Sequence, residues 1–201
     1  MKRAVSLVVA IGCFVAAAAT HAAATVGEPA PAFRAQDVNG KPVMLGDFKG
    51  RYLILEWNNP NCPFVQKHYS SGNMQALQKR FVADDVAWLS INSTKATHSD
   101  YMPPDRLAAW FKRENAAPTA VLIDTTGEIG RAYGAKVTPH MYVIDPKGTL
   151  IYAGAIDDRR SANPADVKVA SNYVAAALAD ARSGKAVTAA TSSAYGCTIK
   201  Y

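Results

Sequence analysis

Residues 56–69 are EWNNPNCPFVQKHY, and this stretch predicts the end of a strand, a tight turn and a helix that begins just after a cysteine. The apolar run before it, YLIL at residues 52–55, is typical of a buried strand. The Asn-Asn-Pro-Asn cluster ends that strand with turn-forming residues. Proline is favoured at the first position of a helix, because its missing N–H needs no partner there. Pro63 therefore places Cys62 at a helix N-terminus.

This position favours a reactive Cys62. Unpaired N–H groups and the helix dipole favour negative charge at a helix N-terminus, and so favour a thiolate over a thiol. The alternative is an inert buried thiol, since free cysteine is among the most frequently buried residue types. The position of Cys62 at the start of a helix favours the reactive interpretation, in which Cys62 is a nucleophile.

The N-terminus resembles an export signal. Residues 1–24 combine a basic start, a short apolar run and an Ala-x-Ala exit, which is the pattern of a secretory signal peptide. The run is too short and too rich in alanine for a membrane span. Gly12-Cys13 offers a second interpretation, a lipoprotein cleavage point that would attach the protein peripherally to a membrane. Apolar residues continue past Cys13, so we expect a periplasmic or exported mature protein without a lipid.

Charge excludes one class of partner. The 201-residue chain has a net charge of +6, and losing Lys2 and Arg3 with the leader lowers it to +4. The remaining basic residues are scattered pairs, such as Lys79-Arg80, without a stripe or interleaved aromatic residues. Nucleic-acid binding therefore has no support.

Cysteine content points to redox chemistry. Of the three cysteines, Cys13 leaves with the leader, and Cys62 and Cys197 remain. Two cysteines in an oxidising compartment suggest a disulfide that forms at some stage. That bond would be either a redox pair or a permanent link holding the C-terminal tail.

Strands and helices alternate along the rest of the chain. Asn39-Gly40 between short apolar stretches predicts a hairpin near the start. Helical patterns follow the predicted buried strands at residues 52–57, 86–92 and 120–124, and a second hairpin covers residues 140–154. One last helix is expected between Asn163 as N-cap and Gly184 after its end.

This order predicts a three-layer α/β/α sandwich around a mixed sheet, extended by the N-terminal β-hairpin. We assign residues 25–184 to this domain and residues 185–201 to a C-terminal tail that carries Cys197. Tyr195, Ile199 and Tyr201 have no local element to pack on, so we expect them to anchor the tail on the domain while Gly196 lets the backbone turn.

Four short motifs carry a resemblance to a known family. They are GEPAPAF at residues 27–33, DFKG at residues 47–50, CPFV at residues 62–65 and GCTIKY at residues 196–201. Together with Thr138-Pro139 before a strand, they make the chain similar to the thioredoxin-like superfamily, in its peroxiredoxin-like (redoxin) branch. The resemblance runs from about Val26 to Tyr201 and implies a thioredoxin-like fold.

The resemblance also implies roles for particular residues. Cys62 would be the nucleophile of a thiol–disulfide oxidoreductase and Cys197 its resolving cysteine. Thr138 and Pro139 would form the cis-proline loop that holds substrate backbone near the thiol. Three residues around the thiol complete the expected substrate site, namely Trp57, Asn59 and Pro63. Packing in the core is the alternative for Trp57.

The departures from the family limit the chemistry. Asn59 occupies the position of the first cysteine of a thioredoxin motif, and also that of the Thr or Ser of a peroxiredoxin. Leu55 and Pro139 stand where a peroxiredoxin has its proline and its catalytic arginine. The expected partners are therefore protein or small-molecule thiols and disulfides, with peroxide a poor substrate.

Two other functions remain open. One is a redox-inert binding or structural protein with a permanent disulfide. The other follows from a more distant similarity to exported copper chaperones of the Sco type, and would use Cys62 with His140 or Cys197 as ligands. Two or three ligands are few for a dedicated metal protein, so we expect no metal. We expect no organic cofactor either. Lys67 and residues 157–159 are expected on solvated surfaces, and His68 in local hydrogen bonds.

Overall fold

The computed structural model describes residues 23–201. The predicted leader, residues 1–24, lies outside this range except for its last two alanines. Within the range, the strands are β1 (Arg34–Asp37), β2 (Pro42–Met44), β3 (Leu53–Trp57), β4 (Ala87–Asn92), β5 (Ala120–Ile123), β6 (Val137–Thr138), β7 (His140–Ile144), β8 (Leu150–Gly154) and β9 (Cys197–Thr198). The α-helices are α1 (Pro63–Ser70), α2 (Asn73–Ala83), α3 (Pro104–Arg113), α4 (Glu128–Tyr133) and α5 (Tyr173–Arg182).

A mixed sheet forms the middle layer. Its strand order is β2-β1-β5-β4-β3-β7-β8, and β6 and β9 pair separately. The three strands at the centre, β3, β4 and β5, run parallel, whereas β1, β2, β7 and β8 pair antiparallel. The predicted mixed sheet and N-terminal hairpin are confirmed. None of the helices in residues 23–201 has the length and hydropathy to cross a bilayer.

Helices cover both faces of this sheet. One core packs α1, α2, α3 and α5 against Ile54 of β3, and the other packs α4 against Leu53, Leu55 and Trp57 of the same strand. Neighbouring side chains of a strand point to opposite faces, so one strand contributes to both cores. All five residues of β3 are buried, as expected for a central parallel strand.

The turn after β3 is built as its sequence predicts. The Asn59 carbonyl accepts the Cys62 N–H at 3.0 Å, and the Asn59 Oδ1 accepts the Asn61 N–H at 2.9 Å. Cys62 has extended backbone angles and is the N-cap of α1, and Pro63 is the first helical residue. The thiol is thereby fixed at the end of the central strand.

The last helix differs from the prediction. Asn163 caps a short 3-10 helix, Pro164–Val169, and α5 begins separately at Tyr173. The break occurs because Asn172 is a second cap, whose side chain accepts the Ala175 N–H at 2.8 Å. Two capping residues within ten positions divide the expected helix in two.

A buried carboxylate joins α1 and α2 to the sheet. Glu56 of β3 is fully buried, and its two oxygens accept hydrogen bonds from five side chains, those of Asn58, Tyr69, Gln78, Trp88 and Ser90, at 2.8–3.3 Å. Burial and the charge of Glu56 raise the pKa of Tyr69 well above its usual value, which keeps that hydroxyl a donor. The sequence analysis did not identify this network.

Replacing Glu56 should destabilise the whole domain. A Glu56→Gln variant turns one acceptor into an NH2 group that faces donors, so we expect a loss of about 2–4 kcal/mol in the free energy of unfolding. Urea unfolding followed by circular dichroism measures it. Glu28→Gln, at an exposed position, is the matched control and should change stability by less than about 0.5 kcal/mol. Equal stability of the two variants would contradict the interpretation.

Candidate active site

The site forms where the start of α1 meets the loop before β7. The peptide bond between Thr138 and Pro139 is cis, and both residues are buried. The Cys62 thiol donates to the Thr138 carbonyl with an Sγ···O distance of 3.0 Å. Only 1% of Cys62 is exposed. The loop predicted to face Cys62 therefore lies directly against it.

The C-terminal tail covers this contact. β9 pairs antiparallel with β6, so that Cys197 lies opposite Thr138 and Thr198 opposite Val137. The pairing continues with the Ile199 N–H, which donates to the Lys136 carbonyl at 3.0 Å. Residues far apart in the chain, Cys62 and Cys197, are thus both brought to Thr138.

The two thiols influence each other. Both cysteines are free, with Cys62 buried and Cys197 partly buried. Burial, a hydrogen bond with Cys62 and the charge of Cys62 together raise the pKa of Cys197 to about 12. Cys197 is therefore a neutral thiol at physiological pH in this arrangement.

Gly196 makes the close approach possible. Its φ is +140°, a region that side-chain-bearing residues rarely adopt. A Cβ built on Gly196 would overlap the Thr138 carbonyl group and touch the Pro139 nitrogen at 3.2 Å. The neighbours are backbone atoms and cannot move aside as a flexible side chain would. Glycine is therefore required where the tail crosses the cis-proline loop.

Tyr195 anchors the tail on one side of the cysteine. Its ring packs edge-on against Phe64 at a centroid distance of 5.8 Å. Its hydroxyl donates to the Asp157 carboxylate and accepts from the Lys67 Nζ at 3.4 Å. Burial, followed by the hydrogen bond with Asp157, raises the pKa of Tyr195 well above its usual value, so the hydroxyl keeps its proton.

Tyr201 anchors the tail on the other side. Its hydroxyl donates to the Ala135 carbonyl at 2.7 Å, and the Arg131 guanidinium lies 4.7 Å from its ring centroid. The ring rests on Gly127 and Gly130, where a Cβ would overlap it. Ile199 is buried in the core beneath α4. The three residues expected to anchor the tail all make contacts with the domain.

The expectation of a solvated surface was wrong for Lys67 and Asp157, whereas Asp158 and Arg159 are exposed as expected. Lys67 and Asp157 are not solvated: they form an ion pair at 3.6 Å with side chains 0% and 2% exposed. The helix turns Lys67 inward, towards the loop after β8, where its Nζ also donates to the Arg159 carbonyl at 2.7 Å. His68 is buried beside them and pairs locally with Asn73 at 2.9 Å. Burial lowers the pKa of His68 to about 4.

Residues expected around the thiol differ in accessibility. Trp57 is fully buried, donates to Ser93 Oγ at 3.0 Å and packs on Tyr133 and Tyr142. It has no surface that a substrate could contact, so the expected place in the substrate site was wrong and Trp57 packs in the core. Asn59 is buried in the turn, whereas Pro63 is exposed beside Cys62.

His140 is engaged elsewhere. Its Nδ1 lies 3.3 Å from both the Lys136 N–H and the Tyr142 hydroxyl. Burial, aided by the charge of Lys136, lowers the pKa of His140 to about 4. No group of three or more His, Cys, Asp or Glu residues suited to a metal ion occurs within residues 23–201.

A mixed sheet, a cysteine at the N-terminus of the helix after its central strand and a facing cis-proline define a thioredoxin-like protein. Residues 26–153 match the AhpC/TSA family over more than half of the chain, and the chain belongs to that family. The expected thioredoxin-like, redoxin-type assignment is thereby confirmed.

Solved structures with the same fold cover almost the whole chain. An uncharacterized conserved protein from Geobacillus kaustophilus superposes with a TM-score of 0.75 at 26% identity, covering 88% of this chain and 92% of that one. A hypothetical protein from Sinorhizobium meliloti 1021 gives a TM-score of 0.73 at 26% identity, with 90% and 96% covered. These similarities therefore extend beyond the region that matches the family.

A curated relative adds a chemical class. The thiol-disulfide oxidoreductase ResA of Bacillus subtilis is 26% identical over 128 residues, which are 62% of this chain and 64% of ResA. The chain thus covers less than two thirds of that relative. This chain is a thioredoxin-fold protein that is similar to thiol-disulfide oxidoreductases.

Adding one methyl group at Gly196 should uncover Cys62. Gly196→Ala forces the tail away from Thr138. A strain of roughly 1–3 kcal/mol in the docked state corresponds to an increase of about fivefold to about 150-fold in the rate at which a bulky maleimide labels Cys62. Mass spectrometry of the Cys62 peptide in a Cys197→Ser background measures this rate.

Gly184→Ala is the matched control. Gly184 also has a positive φ, +73°, but no neighbouring atom lies within 4 Å of its Cβ position. This variant should leave the labelling rate unchanged. An unaltered rate in Gly196→Ala, with the fold intact, would show that the tail does not cover the thiol.

Proposed function

We propose that this protein is an exported thiol–disulfide oxidoreductase, with Cys62 as nucleophile and Cys197 as resolving cysteine. The observation that carries the proposal is the meeting of both residues at Thr138, which accepts the Cys62 thiol and lies opposite Cys197 in the β6–β9 pair. The similarity to ResA supports the same chemistry. In this proposal residues 1–24 direct export, residues 25–184 form the domain and residues 185–201 deliver Cys197.

The exchange proceeds in two steps. The Cys62 thiolate attacks one sulfur of a substrate disulfide, which forms a mixed disulfide and releases the first substrate thiolate. The Cys197 thiolate then attacks the Cys62 sulfur, and the second substrate thiolate leaves. Two electrons pass from the two protein thiols to the substrate disulfide. The reverse sequence oxidises a substrate dithiol at the expense of the Cys62–Cys197 bond.

In this proposal Cys62 reacts first and Cys197 second. Cys62 is the N-cap of α1, directly before Pro63. The raised pKa of Cys197 keeps it neutral while Cys62 is free. Once Cys62 is part of a mixed disulfide, it can no longer carry a charge, and the part of the raised pKa of Cys197 that comes from the charge of Cys62 disappears. Cys197 is then easier to ionise at the moment when it must attack.

The substrates we propose are thiols and disulfides of proteins or small molecules. Thr138 and Pro139 would align substrate backbone beside the thiol once the tail has moved, and the exposed Pro63 would contact the substrate. Asn59 would act indirectly, by shaping the turn before the cysteine. Peroxide is a weaker candidate, because no threonine or arginine stands at the family positions that polarise the O–O bond.

The pair should behave as a reversible disulfide. In graded mixtures of reduced and oxidised glutathione, the protein should pass from two free thiols at Cys62 and Cys197 to one intramolecular bond. Cys197→Ser should stop at a mixed disulfide between Cys62 and glutathione, because the attacking second thiol is missing. Mass spectrometry of acid-quenched samples distinguishes these species.

Two outcomes would contradict the proposal. One is a Cys62–Cys197 bond that dithiothreitol does not open under native conditions, which would indicate a structural link. The other is the absence of that bond at every glutathione ratio. A parallel mixing experiment with hydrogen peroxide should give oxidation close to that of a free thiolate. Turnover faster by orders of magnitude would instead assign the protein to the peroxidases of its family.

A further inference from the structure

The exchange reaction leaves one buried ionic cluster unused. Lys67 and Asp157 pair at 3.6 Å with almost no exposure, although buried charges are costly unless every polar atom finds a partner. Lys67 belongs to α1, the helix that Cys62 caps, and Asp157 follows β8. The cluster thus lies between the active-site helix and the loop beside the tail.

The cluster is complete only when the tail is docked. Tyr195 contributes the hydroxyl that donates to Asp157, accepts from Lys67 at 3.4 Å and lies 3.4 Å from the His68 Nε2. Tyr195 precedes Cys197 by two residues, with Gly196 between them. A constraint on the tyrosine is therefore a constraint on the resolving thiol.

The domain half of the cluster also has partners outside the tail. Lys67 donates to the Arg159 carbonyl at 2.7 Å, and Asp157 accepts the Arg159 N–H at 2.9 Å. The ion pair itself joins two elements of the domain. Undocking the tail therefore leaves neither charge unpaired, and the domain keeps a formed binding site for the Tyr195 hydroxyl.

We propose that Tyr195 is a positioning residue. Its hydroxyl holds the tail to Asp157 and Lys67, a contact that we call the latch. The latch keeps Cys197 at Cys62 and closes Cys62 to large substrates. The part that concerns Cys197 rests on the proposed function. The part that concerns closure rests on the burial of Cys62 under the β6–β9 pair. A protein substrate reaches the thiol only after this latch opens.

The latch has two opposite consequences. Breaking it lengthens the time for which Cys62 is open, so a bulky reagent should react faster. Breaking it also lowers the effective concentration of Cys197 at Cys62, so the intramolecular disulfide should become less stable. A residue that only stabilised the fold would shift neither quantity while the protein stays folded.

Tyr195→Phe tests the proposal, because it keeps the ring on Phe64 and removes only the hydroxyl. In a Cys197→Ser background, a polyethylene-glycol maleimide should label Cys62 about tenfold faster, whereas iodoacetamide, being small, should show a smaller increase. With both cysteines present, the glutathione equilibrium for the Cys62–Cys197 bond should fall about tenfold, which is about 30 mV in reduction potential.

Tyr173→Phe is the matched control. Tyr173 stacks on Tyr152, and its hydroxyl has no hydrogen-bond partner within the described part of the chain. This variant should change neither the labelling rate nor the potential. If Tyr195→Phe fails to fold, Asp157→Glu replaces it: this variant keeps the charge beside Lys67 but moves the carboxylate off the Tyr195 hydroxyl, with the same expected results.

The outcomes separate the two proposals. Unchanged labelling and potential in a folded Tyr195→Phe variant would overturn the latch, even if the wild-type disulfide is reversible. Faster labelling of Cys62 without any reversible disulfide in the wild type would support closure by the latch and contradict the resolving role of Cys197. A slower labelling rate would overturn the latch as well.

Discussion

The pairing of Cys197–Thr198 with Val137–Thr138 is the contact on which the arrangement of the site depends. It sets Cys197 opposite Thr138, and the Thr138 carbonyl in turn accepts the Cys62 thiol. Shifting the register by one residue would turn the Cys197 side chain to the other face of the pair. The anchors on either side oppose such a shift, because Tyr195 and Tyr201 each have a separate receptor on the domain.

Separate networks of buried polar groups hold α1 and the tail. Glu56 ties the C-terminal end of α1, through Tyr69, and α2, through Gln78, to the sheet. Asp157 and Lys67 receive the tail through Tyr195. The first network contains no residue of the tail, whereas the second includes Tyr195. In the function we propose, a nucleophile on a fixed helix therefore meets a resolving cysteine on a segment that can detach.

Local patterns predicted the framework, and long-range packing decided the rest. The strand, turn and helix around Cys62 follow from neighbouring residues, because turn chemistry and Pro63 act locally. The burial of Lys67 could not be inferred, since a lysine on a helix has no visible partner until Asp157 is placed 90 positions away. Trp57 was expected near substrate but packs in the core, because its distance from the surface depends on the layer above it. The second cap at Asn172 is a local signal that the sequence analysis overlooked.

Amide hydrogen exchange at Ile199 tests the account most directly. Its N–H donates to the Lys136 carbonyl only while the tail is paired. In the reduced protein, this amide should be protected, and its opening rate should equal the rate at which Cys62 becomes available to a bulky maleimide at saturating reagent. An Ile199 amide that exchanges as in an unstructured peptide, while Cys62 remains unreactive, would show that something other than the tail closes the site.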